Sequence, residues 1–163
     1  MRSLLHDQRG ALMLEAFIAA LPVLLLFVLL CQTSDLYVHQ LIVQRAANAA
    51  ARAAVVVLPD DGRRYGDPDN SLVDRYAGGR KHAVEQAARS VLRASPSLSA
   101  SAATLELTGP FEPHTAAEAR LSTEYTCLLG RVPLICGRGG KLRLSARARL
   151  TYQGAHYLYE REG

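Results

Sequence analysis

The longest apolar run of the chain lies near its N-terminus, at residues 11–31, and Glu15 is the only charged residue within it. A helix of this length rises about 31 Å, which is enough to cross the hydrocarbon of a bilayer. The run therefore predicts a transmembrane helix. A carboxylate inside such a helix costs about 2.5–3.5 kcal/mol at mid-membrane, so we expect Glu15 to serve a function.

The helical pattern continues beyond the apolar run. Residues 32–57 contain neither Gly nor Pro, and residues 46–54 include seven alanines, the residue with the highest helix propensity. We therefore predict one helix over residues 11–57, with Pro22 as a candidate kink. The alternative is two helices separated near residues 33–35, where Ser or Asp favours a new helix start. Polar side chains recur at every fourth position of the second half, at Gln40, Gln44, Asn48 and Arg52.

A loop and a second helix are predicted next along the chain. Prolines and glycines are spread among polar residues at 59–79, which is typical of a surface loop. A loop of that length is unusual in a compact domain, so we expect either a short element near residues 72–76 or a binding loop. Apolar residues return at helical spacing over residues 80–94 and predict a shorter helix. Residues 97–101 are expected to form a Ser/Ala linker.

Apolar and polar residues alternate in three later segments, at residues 103–108, 121–127 and 141–150. Such alternation predicts half-buried antiparallel strands with one face in water. The predicted fold class is therefore α+β. It comprises a long N-terminal helix with a transmembrane half and a soluble half, a second shorter helix, and a three-stranded antiparallel β-meander packed on the helices.

The composition is that of a folded protein, because 49% of the 163 residues are apolar and 21% are charged. We divide the chain into a leader at residues 1–10, a transmembrane segment at 11–31 and one domain at 32–163.

The net charge of +4 is far below that of a typical nucleic-acid-binding domain. The five histidines form no paired motif, and we find no catalytic or phosphate-binding spacing. We expect no enzyme activity, cofactor, metal or small-molecule substrate.

A row of basic residues occupies the polar face of the last predicted strand, at Lys141, Arg143, Arg147 and Arg149. We expect a solvated strand face, with Glu106 and Glu124 as partners on neighbouring strands. An interface with an acidic neighbouring subunit is the alternative. Nucleic-acid binding is not expected, because single-stranded nucleic acids need aromatic side chains for stacking and this face has none.

Three cysteines are present in the chain. Cys127 and Cys136 flank the connection between the second and third predicted strands, so their backbones are expected to lie close together. In an oxidising compartment a disulfide between them closes a loop of about ten residues and adds about 2–3 kcal/mol. A metal site is the weaker option, because no histidine lies beside the pair at ligand spacing. Cys31 is expected to be a small apolar filler.

The N-terminal segment combines Arg9, Gly10 and a glutamate five residues after the glycine, within the sequence G-A-L-M-L-E-A-F-I-A-A-L-P-V-L-L-L. This arrangement resembles the leader of type IV pilin-like proteins, which a dedicated membrane peptidase cuts after the glycine. More specifically, it resembles the TadE family, the minor pilins (pseudopilins) of tight-adherence (Flp-type) pili. In that family an aromatic residue often follows the glutamate, whereas this chain has Ala16.

The resemblance implies a pilin-like precursor that a prepilin peptidase cuts between Gly10 and Ala11. It also implies a subunit that acts in pilus assembly or initiation, with other pilin and minor pilin subunits and the assembly platform of the bacterial inner membrane as partners. The positive charges of Arg2 and Arg9 favour a cytoplasmic N-terminus, so residues 32–163 are expected in the periplasm or in an extracellular pilus.

Two other interpretations of the N-terminus differ in their consequences. A cleaved secretory signal peptide is disfavoured, because its apolar region would be shorter and would lack Glu15. An uncleaved signal anchor remains open, and it would make the chain a periplasmic scaffold or accessory protein of an envelope secretion system.

Overall fold

The computed structural model describes residues 8–60, 62–66, 78–108, 116–127, 136 and 139–151. Its elements are helix α1 (Gln8–Val57), a 3₁₀ turn (Gly62–Tyr65), helix α2 (Gly78–Leu92) and strands β1 (Thr104–Thr108), β2 (Ala116–Thr126) and β3 (Lys141–Thr151). The fold class is α+β, as predicted. The chain divides into two compact units, Met1–Tyr37 and Val38–Gly163, which we describe separately.

The first unit contains the apolar part of α1. The side chains of residues 13–28 are all exposed, and among the described residues this is the helix that is long and apolar enough to cross a membrane. The helix continues through Pro22. The alternative of a break near residues 33–35 is wrong, because α1 is one uninterrupted helix from Gln8 to Val57. The hydroxyl of Thr33 donates to the carbonyl oxygens of Leu29, at 3.0 Å, and Leu30, at 2.9 Å. It bonds to the preceding turn and does not cap a new helix.

The core of the second unit combines alanines from α1 and from the sheet with larger apolar side chains from the helices and the sheet. Alanines at every third or fourth position of α1 are completely buried and allow close approach of other elements. Tyr125 of β2 is 1% exposed, and its ring centroid lies 4.7 Å from that of His39 on α1. The core of this unit includes Val43, Ala46, Ala47, Ala50 and Ala54 of α1, Val84, Ala88 and Leu92 of α2, and Leu121 and Leu144 of the sheet.

The sheet is the predicted antiparallel meander, with strand order β1-β2-β3. Burial alternates along β2 and β3 as the sequence pattern predicts. The prediction was wrong at the start of β2, which begins at Ala116 and not at Leu121. Because this first part is alanine-rich, it lacks the β-branched and aromatic residues that mark a strand.

Residues 97–101, which were predicted to form a linker, also form hydrogen bonds with β2. The carbonyl oxygen of Ser97 accepts a hydrogen bond from the amide of Thr126, and the amide of Ser99 donates to the carbonyl oxygen of Glu124, both at 2.9 Å. The segment therefore extends the ladder along the side of β2 that β1 occupies. The hydroxyl of Thr123 also donates to the carbonyl oxygen of Ser99, at 2.8 Å.

The start of α2 lies against the 3₁₀ turn and against Leu58, the residue that follows α1. Helix α2 begins at Gly78, two residues before its predicted start. A Cβ atom at Gly79 would lie 1.8 Å from the carbonyl oxygen of Tyr65, so only glycine fits beside the 3₁₀ turn. The buried Arg80 donates from Nη1 to the carbonyl oxygen of Leu58, at 3.4 Å. The element considered near residues 72–76 lies outside the described residues.

Candidate functional site

The predicted processing and assembly residues lie together at the start of α1. Its helical backbone begins at Gln8 and includes Gly10, Ala11 and Glu15. In an α-helix, residues 11 and 15 lie on one face, about 6 Å apart along the axis. Gly10 lies about 140° around the helix from Glu15. The amide nitrogen that cleavage after Gly10 would convert to an amine therefore lies one turn from the carboxylate-bearing residue.

Glu15 is surrounded along the helix by apolar side chains. Leu14 is 63% exposed and Phe17 is 68% exposed, and Glu15 itself is exposed between them. No residue in the described part of the chain forms an ion pair with Glu15. In the hydrocarbon of a membrane, an ionised carboxylate without a partner is costly, and a cation on another chain would relieve that cost.

Cys127 and Cys136 are joined by a disulfide, the pairing that the sequence predicts. Both residues are buried, and their Cα atoms are 6.4 Å apart. Next to the bridge, the amide of Cys127 donates to the carbonyl oxygen of Gly140 at 2.9 Å. The disulfide therefore lies where β2 ends and β3 is about to begin. Cys31 has a free thiol and is exposed.

The polar face of the sheet carries a network of charged side chains. Glu118 accepts hydrogen bonds from Arg147 of β3 and, at 2.8 Å, from Arg120. These bonds, that from Arg147 first, lower the pKa of Glu118 from its usual value. The same contact with Glu118 raises the pKa of Arg147. The carboxylate side chain is only 13% exposed, since the two guanidinium groups cover it.

Only one of the two predicted partners of the basic row lies beside it. Glu124 pairs with Lys141 at 3.2 Å, as predicted. The prediction was wrong for Glu106, which lies on β1 opposite Arg120. Because β2 separates β1 from β3, Glu106 faces the central strand and not the basic row. Glu118 has the role expected of Glu106, and it was not predicted because its strand segment was not predicted.

A row of short hydroxyl side chains crosses the same face. Thr104, Ser122 and Ser145 are in register on the three strands, and the hydroxyl oxygens of Thr104 and Ser122 are 2.6 Å apart. The neighbouring row across the three strands has longer side chains, those of Glu106, Arg120 and Arg147. Together with Leu121 and Ala146, these six residues line a depression of about 290 Å³. We call it the hydroxyl trough.

The polar repeat of α1 contributes to the fold through contacts that its sequence pattern did not predict. Gln40 donates from Nε2 to the carbonyl oxygen of Ser145 at 2.8 Å, and Gln44 donates to that of Arg147 at 2.9 Å. The only signal in the sequence was the spacing of four residues. It predicted a polar helix face but not the strand that this face meets.

No group of three or more His, Cys, Asp or Glu side chains suited to a metal ion occurs within the described ranges. Comparisons of the chain with protein-family models, with curated proteins and with solved structures gave no match.

Proposed function

We propose that this chain is a minor pilin, or pseudopilin, of a tight-adherence (Flp-type) pilus. The apolar segment of residues 11–31 holds the precursor in the bacterial inner membrane, with the N-terminus in the cytoplasm. A prepilin peptidase cuts it between Gly10 and Ala11, and the mature subunit acts in the assembly or initiation of the pilus. Its partners are other pilin and minor pilin subunits and the assembly platform.

A single observation carries this proposal, namely the lone carboxylate of Glu15 near the start of an exposed apolar helix. Cleavage after Gly10 creates a positively charged amine at Ala11. Both the amine and the carboxylate are costly in lipid or in a fibre core, and each neutralises the other when subunits pair the amine of one with the Glu15 of the next. The residues that make the chain difficult to keep as a monomer in the membrane are thus those that favour assembly.

The disulfide also supports an extracytoplasmic position for the second unit. Disulfides persist in the periplasm and at the cell surface and are rare in the cytoplasm. Cys127 and Cys136 are bonded to each other, whereas Cys31, at the end of the apolar segment, is free. This distribution agrees with a chain whose second unit is exported.

The second candidate is an uncleaved, signal-anchored periplasmic scaffold or accessory protein of an envelope secretion system. It is favoured by the helical backbone that starts at Gln8 and passes through Gly10 and Ala11 without interruption. A peptidase needs access to an unwound backbone, whereas an anchor keeps its helix intact.

The N-terminus of the membrane-inserted protein distinguishes these two candidates. The full-length chain is produced together with a prepilin peptidase whose activity is verified on a known pilin, and the purified product is sequenced from its N-terminus. Ala11 as the first residue is the expected result. A product that begins at Met1 while the known pilin is processed would overturn the pilin proposal and favour the anchor. The Gly10→Ala variant is the matched control and should remain uncut.

A further inference from the structure

The polar face of the sheet has an excess of positive charge that its own carboxylates do not neutralise. The described strands place five cations and three carboxylates on this face. The carboxylates of Glu118 and Glu124 are already engaged by Arg120, Arg147 and Lys141. These face residues are Glu106, Glu118, Arg120, Glu124, Lys141, Arg143, Arg147 and Arg149.

Two cations remain available on β3. Arg143 and Arg149 are exposed, and neither forms an ion pair with any residue that the structure describes. They lie six residues apart on one strand, which separates their Cα atoms by about 20 Å. Ser145, whose side chain belongs to the hydroxyl trough, lies between them. The face therefore offers a shallow depression with a free guanidinium group on each side.

We propose that this face binds an extended acidic segment of another protein. The segment lies along β3 over the edge of the hydroxyl trough, and its carboxylates pair with Arg143 and Arg149. Charge selects this occupant. A second copy would bring the same excess of positive charge, and a depression of about 290 Å³ admits an extended chain but neither a DNA duplex nor the surface of a bilayer. The inference does not depend on the proposed function, because a signal-anchored scaffold would present the same face.

The probe is a synthetic peptide of roughly twelve residues in which Glu and Ser alternate, since an extended chain of that length spans the two arginines with all carboxylates on one side. Its binding to the full-length protein in a non-ionic detergent is measured by fluorescence anisotropy at low salt. We expect saturable binding of this peptide and none of a matched peptide that alternates Lys and Ser.

Two double variants distinguish binding at this site from a general effect of the protein's net charge. Arg143→Glu with Arg149→Glu should weaken binding about tenfold or more, because two exposed charge pairs are lost and replaced by repulsion. Arg45→Glu with Arg52→Glu changes the net charge by the same amount on the exposed surface of α1 and should change the affinity less than about twofold. An uncharged variant, Ser145→Tyr, should also weaken binding, because it fills the trough.

Circular dichroism and thermal melting verify that each variant is folded. Equal losses in the two double variants, or no binding of the acidic peptide, would overturn the proposal. So would unchanged affinity of Ser145→Tyr, since the segment would then not lie over the trough. Duplex DNA and vesicles that contain phosphatidylglycerol are tested in parallel. If either binds through Arg143 and Arg149 while the peptide does not, the face is a phosphate-binding surface and the proposal is wrong.

Discussion

Gln40 donates a hydrogen bond from its side-chain amide to the backbone carbonyl oxygen of Ser145, at a distance of 2.8 Å. One helical turn later, Gln44 makes the same bond to Arg147 at 2.9 Å. Four residues of helix rise about 6 Å and two residues of strand about 6.8 Å, so the two repeats match. In β3 the carbonyl groups of alternate residues point toward β2, as that of the preceding Gly140 does. Those of Ser145 and Arg147 point the other way, toward the outer edge of the sheet.

These bonds occupy part of an edge that would otherwise be free to pair with another strand. Replacement of either glutamine by alanine should lower the free energy of unfolding by about 0.5–1.5 kcal/mol, as expected for one hydrogen bond. Denaturant unfolding measures this change, and hydrogen exchange should show faster opening of β3. Asn48→Ala is the control, because Asn48 follows in the same repeat with an exposed side chain. If Asn48→Ala is as destabilising as Gln44→Ala, the effect belongs to the helix and not to the strand edge.

The contact between Gly79 and Tyr65 leads to a second prediction, which concerns the stability of the fold. Gly79→Ala should destabilise the second unit by more than about 1 kcal/mol or displace the 3₁₀ turn, because the new methyl group would overlap the carbonyl oxygen of Tyr65. Differential scanning calorimetry and the exchange rates of amides in residues 62–66 report the two outcomes.

Two other glycines are matched controls for this substitution. Gly139→Ala should have little effect, since no atom lies within 4 Å of the added methyl group. Gly66→Ala also meets open space, but its φ of 79° makes the left-handed backbone unfavourable for alanine, at a cost of about 1 kcal/mol. A Gly79→Ala protein as stable as Gly139→Ala would show that the turn does not pack as described.

The pKa of Glu118 predicts how pH affects the polar face of the sheet. Hydrogen bonds from Arg147 and then Arg120 lower this pKa in the folded state. The resulting stabilisation is complete above the unfolded pKa of about 4.3 and is lost as pH falls through the lower, folded-state pKa. An NMR titration of the Glu118 carboxyl group should therefore have its midpoint below about 4.3.

Substitutions of the neighbouring arginines test the cause of this shift. Arg147→Gln should raise the midpoint of Glu118 more than Arg120→Gln does, because the bond from Arg147 is the largest contribution. Arg143→Gln should leave it unchanged, since Arg143 lies opposite Glu124 in the register. A midpoint that does not respond to Arg147→Gln would mean that the Glu118–Arg147 pair does not form in solution.

The disulfide should contribute measurably to stability. It closes a loop of about ten residues, and the loss of entropy in the unfolded chain is expected to stabilise the fold by about 2–3 kcal/mol. Cys127→Ser combined with Cys136→Ser should lower the free energy of unfolding by that amount, as should reduction of the native protein. Cys31→Ser is the control and should leave it unchanged, because Cys31 is free and exposed. Peptide mapping under non-reducing conditions verifies the pairing, and a bridge that includes Cys31 would contradict it.

Local patterns in the sequence predicted the elements better than they predicted the contacts between elements. The alternation of Leu and Ala with Arg and Lys along β3 was enough to assign both faces, because every second residue is strongly polar. Alanine fits helices and strands alike, so the first part of β2 carried no such signal, and Glu118 was missed with it. The hydrogen bonds of Gln40 and Gln44 depend on which strand forms the edge of the sheet, and no local pattern encodes that order.

Glu15 gives the strictest prediction, because its substitution separates membrane insertion from assembly. Glu15→Ala should leave insertion intact, since it removes a charge that opposes the transfer of the helix into lipid. It should abolish incorporation into pili, because the amine of a neighbouring subunit loses its partner. Alkaline extraction of membranes measures insertion, and immunoblotting of sheared pili measures incorporation.

The position of the carboxylate should matter as much as its presence. A variant that combines Glu15→Ala with Ala19→Glu moves the charge by one turn on the same helix face, about 12 Å from the backbone nitrogen of residue 11 instead of about 6 Å. It should insert but fail to assemble, whereas Glu15→Asp, which keeps the charge near its place, should retain partial assembly. Normal incorporation of the Glu15→Ala protein would remove the assembly role of this residue. Normal incorporation of the shifted variant would mean that any intramembrane carboxylate suffices, so the pairing between subunits would not depend on their axial offset.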